Sequence, residues 1–341
     1  MIERLGKYTL KLNERPSIIA GAGVVGKTEG DGPLKEEFDR IFEDDTLGEE
    51  SFEKAESSLQ REAVLKAMIK SGKPIEDVEY IFAGDLLNQC TASTFSLREL
   101  GIPLIGLFGA CSTMALSLGI ASVFVNCEAA RLAVAATSSH FCSAERQFRL
   151  PLEYGGQRTP TAQRTVTGAG ASVVAKHIAN KPCVEAVTFG KIVDLGIKDS
   201  TNMGAAMAPA AAMTISDFFS DTGMKPDDLD MIVTGDLGFV GSELLLKLLK
   251  KDYSLDISAQ YNDCGMMMYY REEQDVHAGG SGCGCGGSVL NTYFMNRLES
   301  GEFSKILFVA TGALMSPTSS LQGESIPSIA HAVLLSKPDN K

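Results

Sequence analysis

The order of apolar and polar positions repeats itself along this chain. GKPIEDVEYIFAGDL (72–86) and GMKPDDLDMIVTGDL (223–237) share one pattern at an offset of 151. Each reads as a helix end, a Pro turn, a short apolar strand and a Gly-Asp at the strand's end. Gly72, Asp77, Ile81, Gly84, Asp85 and Leu86 meet Gly223, Asp228, Ile232, Gly235, Asp236 and Leu237. GACSTMALSLGIASVFVNCEAARLAVAAT (109–137) aligns without gaps on CGCGGSVLNTYFMNRLESGEFSKILFVAT (283–311) at an offset of 174. Both begin in small residues, continue as a helix, turn, and end in a buried strand closing on Ala-Thr. TGAGASVVAKH (167–177) against SIAHAVLLSK (328–337), and PSIIAGAGVVG (16–26) against EAVTFGKIVDLG (185–196), are looser echoes. The pattern predicts an α/β fold made by duplication, with halves at 1–178 and 179–341. Each half should run strand, loop, helix, strand, small-residue helix, strand, strand.

The small-residue helices set the layering. Residues 109–126 carry no charged side chain, and a helix that is apolar all round is buried on every side. Two such helices, one per half, belong between two sheets. The expected stack is therefore helix, sheet, helix, sheet, helix.

GAGVVGKT (21–28) breaks from this account, because it fits both G-x-x-x-x-G-K-[ST] and G-x-G-x-x-G. Either phosphate site needs a helix to start at once, so that its amides face the anion. After Thr28 the chain reads EGDGPL, and Gly30, Gly32 and Pro33 do not start a helix. No strand-end acid follows some twenty residues on; the chain there is loop-like (EDDTLGEE, 43–50). The octapeptide reads as the first strand of the first half, followed by a glycine-rich loop.

Composition narrows the partners. Net charge is -12, which argues against nucleic acid, and an anion would need a locally positive field. The N-terminal MIERLGKYTLKLNERP has no apolar stretch of signal-peptide type, and no window approaches 18 apolar residues, so neither secretion nor a membrane span is expected. The eight cysteines are expected as free thiols. Cys283 and Cys285 form a C-x-C without a further ligand spaced for a metal.

The duplicated five-layer plan, with a Cys at the start of the first buried helix, resembles the thiolase and ketoacyl-synthase superfamily. There that Cys is the nucleophile, and FGACST (108–113) makes Cys111 the matching residue. A helix N-terminus is expected to lower its thiol pKa. A closer resemblance covers nearly the whole chain. FAGDLLNQ (82–89), LFGACST (107–113), ATSSH (136–140), AERQFR (144–149), EYGGQ (153–157), VTGAGA (166–171), DLGIKDS (194–200), MGAAMAPAAA (203–212), NDCG (262–265), AGGSGC (278–283), ATGALMSPT (310–318) and ESIPSIAH (324–331) resemble the stage V sporulation protein AD family. That resemblance implies binding of dipicolinic acid, the pyridine dicarboxylate of the spore core. It implies work alongside membrane proteins of the same operon, in uptake into the developing spore and release at germination. The location it implies is peripheral, at the inner spore membrane, and the superfamily implies a homodimer.

A condensing enzyme also needs a His, with an Asn or second His, to move protons and hold the thioester oxygen. Of the four histidines, His140 ends a first-half strand and is placed to approach Cys111. His177, His277 and His331 stand outside the superfamily's His motifs, and YNDCGMMMYY (261–270) offers Asn262, Asp263 and Cys264 instead of a His. Two functions from different classes follow: a non-catalytic binding protein on a retired condensing-enzyme pocket, or an acyltransferase using Cys111 with an unorthodox base. For binding, the starts of both buried helices offer free amides. One carboxylate is expected near Gly109 to Ser112 and the other near Ser281 to Cys283. The link 138–165 carries Arg146, Arg149, Arg158 and Arg164 against Glu145 and Glu153, as a basic stretch in an acidic protein. Asp85 and Asn88 are expected beside the pocket, with Asp85 acting through water or a Ca2+ ion that accompanies the ligand. No resident cofactor is expected.

Overall fold

Each half of the chain builds the same five-stranded sheet. The structure, a computed structural model, describes residues 1–148 and 158–339. The first half supplies β1 (Ser17–Gly26), α1 (Phe52–Ser71), β2 (Tyr80–Gly84), α2 (Thr91–Leu97), β3 (Leu104–Gly106), α3 (Thr113–Asn126), β4 (Leu132–Ser139), α4 (Phe141–Phe148) and β5 (Gly168–Ala175). The second supplies β6 (Cys183–Phe189), α5 (Met203–Thr222), β7 (Met231–Thr234), α6 (Gly238–Asp252), β8 (Tyr261–Asp263), α7 (283–300), β9 (Lys305–Ala313) and β10 (Ser328–Ser336). Strand order is β1-β5-β4-β2-β3 in one half and β6-β10-β9-β7-β8 in the other. In both, the first three strands pair antiparallel and the last three parallel. The sheets touch edge to edge through the pair Ser17 and Cys183.

The layers follow from which faces are apolar. On the outer face of the first sheet, Leu59, Ala63 and Ala67 of α1 pack on Ile81, Val134 and Val173. On the outer face of the second, Met207, Ala211, Ile215 and Phe218 of α5 meet Leu307, Val309 and Leu334. Between the sheets lie α3 and α7, whose Met114, Leu118, Val289 and Phe294 share one core with Phe82 and Phe308. This is the helix, sheet, helix, sheet, helix stack that the charge-free helices required.

Two elements per half were not legible in the repeat. Between its second strand and its buried helix, each half adds an outer helix and a short edge strand: α2 with β3, and α6 with β8. Strands of three residues carry too few alternations to show a period. The second buried helix also contains a wide turn, Leu290–Phe294, between its regular segments Cys283–Val289 and Met295–Ser300.

A single helical turn, Lys27–Gly30, follows β1 where a glycine-rich loop was expected; the glycines of GAGVVGKT have a packing reason. Gly21 and Gly23 lie within the wholly buried β1, where α7 crosses the strand. A Cβ on Gly21 would sit 2.9 Å from the Asn291 carbonyl oxygen, and one on Gly23 2.6 Å from that of Ser288. Lys27 lies on the exposed surface, 3.0 Å from Glu43. Lys27→Ala should therefore leave the denaturation midpoint unchanged within error and leave no nucleotide binding to lose. Gly23→Val should cost about 3 kcal/mol or prevent folding, because backbone cannot yield as a flexible side chain does. Denaturant titration of both variants, with an ATP-binding assay on the first, checks this pair.

Candidate functional site

The site lies where the two halves face each other. A 3-10 turn, Ala110–Ser112, leads into α3 and carries Cys111. Local hydroxyls close this turn: Ser112 Oγ donates to the Gly109 carbonyl at 2.6 Å, and Thr113 Oγ1 to the Ala110 carbonyl at 2.7 Å. Gly312 of β9 lies over it from the other half. A Cβ there would come 2.1 Å from the Gly109 carbonyl oxygen and 3.2 Å from the Cys111 nitrogen. The start of the first buried helix is thus covered by the second half, and only Gly permits the approach.

Beside this turn is a cavity of about 50 Å³, lined from the first half by Leu86, Phe108, Ala110, Cys111, Ala144, Phe148 and Thr165. Met203, Met207, Ser281, Ala313 and Met315 complete it from the second. Among the described residues its walls are apolar apart from the Cys111 thiol and two hydroxyls, and none of those residues is basic.

Behind the wall stands Asp236, at the end of β7 and wholly buried. It accepts from the Gly282 N–H at 2.7 Å, the Thr311 hydroxyl at 3.1 Å and the Ser281 hydroxyl at 3.4 Å, and from the Cys111 thiol. Burial, with the nearby Asp263 carboxylate adding to it, pushes Asp236 up to about 7. The Cys111 thiol moves well above its usual value, first through burial and then through the Asp236 charge. This corrects the expectation of a lowered thiol pKa: a buried carboxylate outweighs the partial charge of a helix start. It also occupies one expected anion position, since the Gly282 amide before α7 already holds Asp236.

The sequence-predicted residues divide. Cys111 and Ser281 line the cavity, and Cys283 lies buried next to them with Leu86, Ala110 and Ala144, its thiol donating to the Ser138 carbonyl at 2.9 Å. Ser112 is buried in its own turn. Asp85 is enclosed, accepting from the Leu87 N–H at 2.9 Å and from the Ser93 N–H and hydroxyl at 2.8 and 2.7 Å. Its neighbour Leu86, not Asp85, reaches the cavity wall. Asn88 is exposed and accepts from Gln147 Nε2. Arg146 pairs with Glu53 at the surface. Asn262 accepts from the Asp263 N–H at 2.8 Å on the edge strand β8.

His140 does not serve as a base for Cys111. Its Nδ1 accepts from the Cys142 N–H at 3.2 Å, so Nε2 carries the proton and donates to the Asp45 carbonyl at 2.7 Å. Burial holds it below its usual pKa, as a neutral ring. Of the link's other arginines, Arg164 lies over the Phe141 ring and Arg158 bonds the Asp275 carbonyl, while Arg149 and Glu153 fall outside the described residues. Among the described residues, no three His, Cys, Asp or Glu side chains are placed to hold a metal ion, and no helix is long and apolar enough to cross a membrane.

Comparison with known proteins follows this geometry. The family model for stage V sporulation protein AD matches residues 6–336. The chain belongs to that family. It is 43% identical over 325 residues to stage V sporulation protein AD of Bacillus subtilis strain 168, covering 95% of each chain. It is a sporulation protein on a thiolase-like fold. Among solved structures it resembles a variant of Xanthomonas campestris OleA, with TM-score 0.62 and 14% identity over 94% of this chain and 98% of that one. The 3-oxoacyl-(acyl-carrier-protein) synthase III of Aquifex aeolicus VF5 superposes with TM-score 0.58 at 14% identity, covering 94% of this chain and 99% of that one. These likenesses place the fold alone.

The reading of residues missed Asp236 as a site group, giving it only as the match to Asp85 at a strand's end. It also missed the wall formed by Phe108, Phe148, Thr165, Met203, Met207 and Met315. The available signal was the i, i+4 spacing of Met203 and Met207, which puts both on one face of α5.

Two expectations follow. Asp236 is raised in the fold, so the stability it contributes is full below its unfolded value near about 4 and is lost as pH rises through about 7. Asp236→Asn should therefore flatten the fall in melting temperature between about pH 5 and about pH 8 relative to the unmodified chain. Cys111 should also react with iodoacetamide at neutral pH at least about tenfold more slowly than the exposed Cys127, because only thiolate is attacked. Peptide mapping of a timed alkylation measures that ratio.

Proposed function

We propose that this chain binds dipicolinic acid without turning it over, in the cavity between its halves. This binding serves dipicolinate uptake into the developing spore and its release at germination. One observation carries the reading: the cysteine in the nucleophile's place faces a buried carboxylate and no histidine, while a shaped pocket persists beside it. A thiol held protonated is a poor nucleophile. An apolar wall that includes Phe108, Phe148, Met203 and Met315 suits an aromatic ring, and the Thr165 and Ser281 hydroxyls, which bond Glu145 and Asp236, are polar groups its carboxyl groups would reach. Ca2+ then enters as the ligand's own counter-ion, since no protein cluster is needed to hold it. The chain acts at the inner spore membrane as a peripheral homodimer, handing dipicolinate to membrane proteins of the same sporulation operon.

Calorimetric titration with dipicolinate, with and without Ca2+ and with coenzyme A as competitor, tests this. Saturable binding is expected, without effect of coenzyme A. Ala313→Trp, which puts a large side chain in place of a small one in the cavity lining, should abolish it. Cys111→Ala should weaken it only by about 1 kcal/mol, the worth of one contact. An acyl group recovered on Cys111 after incubation with an acyl-coenzyme A would instead establish the acyltransferase reading.

A further inference from the structure

Each polar side chain that lines the cavity among the described residues bonds a carboxyl group behind it. Cys111 and Ser281, which line it, both bond Asp236 behind them. The other titratable groups facing Asp236 are Asp263 and Cys264 at the end of β8, and Cys283 and Cys285 on α7. Thr165, on the far wall, bonds Glu145 of α4 at 3.0 Å. His140 is committed to Asp45 and Cys142. An ionised ligand carboxylate entering here meets Asp236 across the Cys111 and Ser281 side chains, with no basic residue among the described residues of the wall. Two like charges in one poorly solvated site cannot both persist, and the one that can take a proton does so.

We propose that the pocket binds its aromatic carboxylic acid together with one proton held on Asp236, so that ligand uptake is proton-coupled and loss of that proton favours release. The inference rests on the dipicolinate reading for its ligand. The balance is simple: a solvent proton joins an Asp236 oxygen, one O–H bond forms, and no other covalent bond changes. The Cys111 S–H, no longer drawn to a carboxylate, turns to the ligand. Because dipicolinate stays ionised across neutral pH, the coupling belongs to the protein. Burial and Asp263 already raise Asp236 to about 7, so proton uptake on binding should appear above that pH and vanish below it.

The experiment is calorimetry on the full chain with dipicolinate, from about pH 6 to about pH 9, in phosphate and in Tris, whose ionisation enthalpies differ widely. At about pH 8 the binding enthalpy should differ between buffers by close to one proton's worth, and at about pH 6 the difference should disappear. Above about pH 7 the dissociation constant should rise by up to about tenfold per pH unit. Asp236→Asn, with its fold checked by circular dichroism, should bind with equal enthalpy in both buffers and without that slope. Saturable binding by the unmodified chain that is independent of buffer and pH would overturn the proton coupling and leave the dipicolinate reading standing. Uptake that survives in a folded Asp236→Asn would place the proton elsewhere and overturn the assignment. No saturable heat at any pH would overturn the dipicolinate reading and the coupling together.

Discussion

A helix that crosses a sheet with no room between their backbones governs this fold. α3 and α7 lie between two sheets, and where α7 crosses the first sheet backbone meets backbone. A Cβ on Gly170 of β5 would stand 2.1 Å from the Gly287 carbonyl oxygen of α7, as one on Gly23 would crowd Ser288. Such contacts are won by shape rather than by apolar area, and they fix each helix against its strand to within fractions of an ångström. The turn carrying Cys111 and the segment carrying Ser281 and Gly282 are the starts of these helices. Their place in the cavity is therefore a consequence of core packing.

The same packing excludes water from a set of carboxylates. Asp236, Asp85, Asp263 and Glu56 are all buried, and among the described residues each is met by backbone amides or hydroxyls rather than by a cation. Hydrogen bonds alone do not repay the loss of hydration, so burial raises all four, with Glu56 reaching about 8 as the Asp85 charge adds to its burial. A condensing enzyme on this fold needs a cysteine that yields its proton. Here burial, and then the acid behind it, holds the Cys111 thiol well above its usual pKa.

What the sequence determined by itself was the repeat and its layers. The matched strands at 80–84 and 231–234 and the charge-free run at 109–126 were enough, because burial on every side leaves one kind of place for a helix. Motif resemblance supplied the family and Cys111, and the start of the second buried helix supplied Ser281 and Cys283. Tertiary structure alone decided what each polar group faces. His140 is near the site in sequence terms, yet its two ring nitrogens are taken by Asp45 and Cys142; Asp85 and Asp236 match in the repeat, yet only Asp236 backs the cavity wall. Periodicity reports which residues are buried. It does not report partners contributed from the other half of the chain, and a buried group's charge is set by those partners.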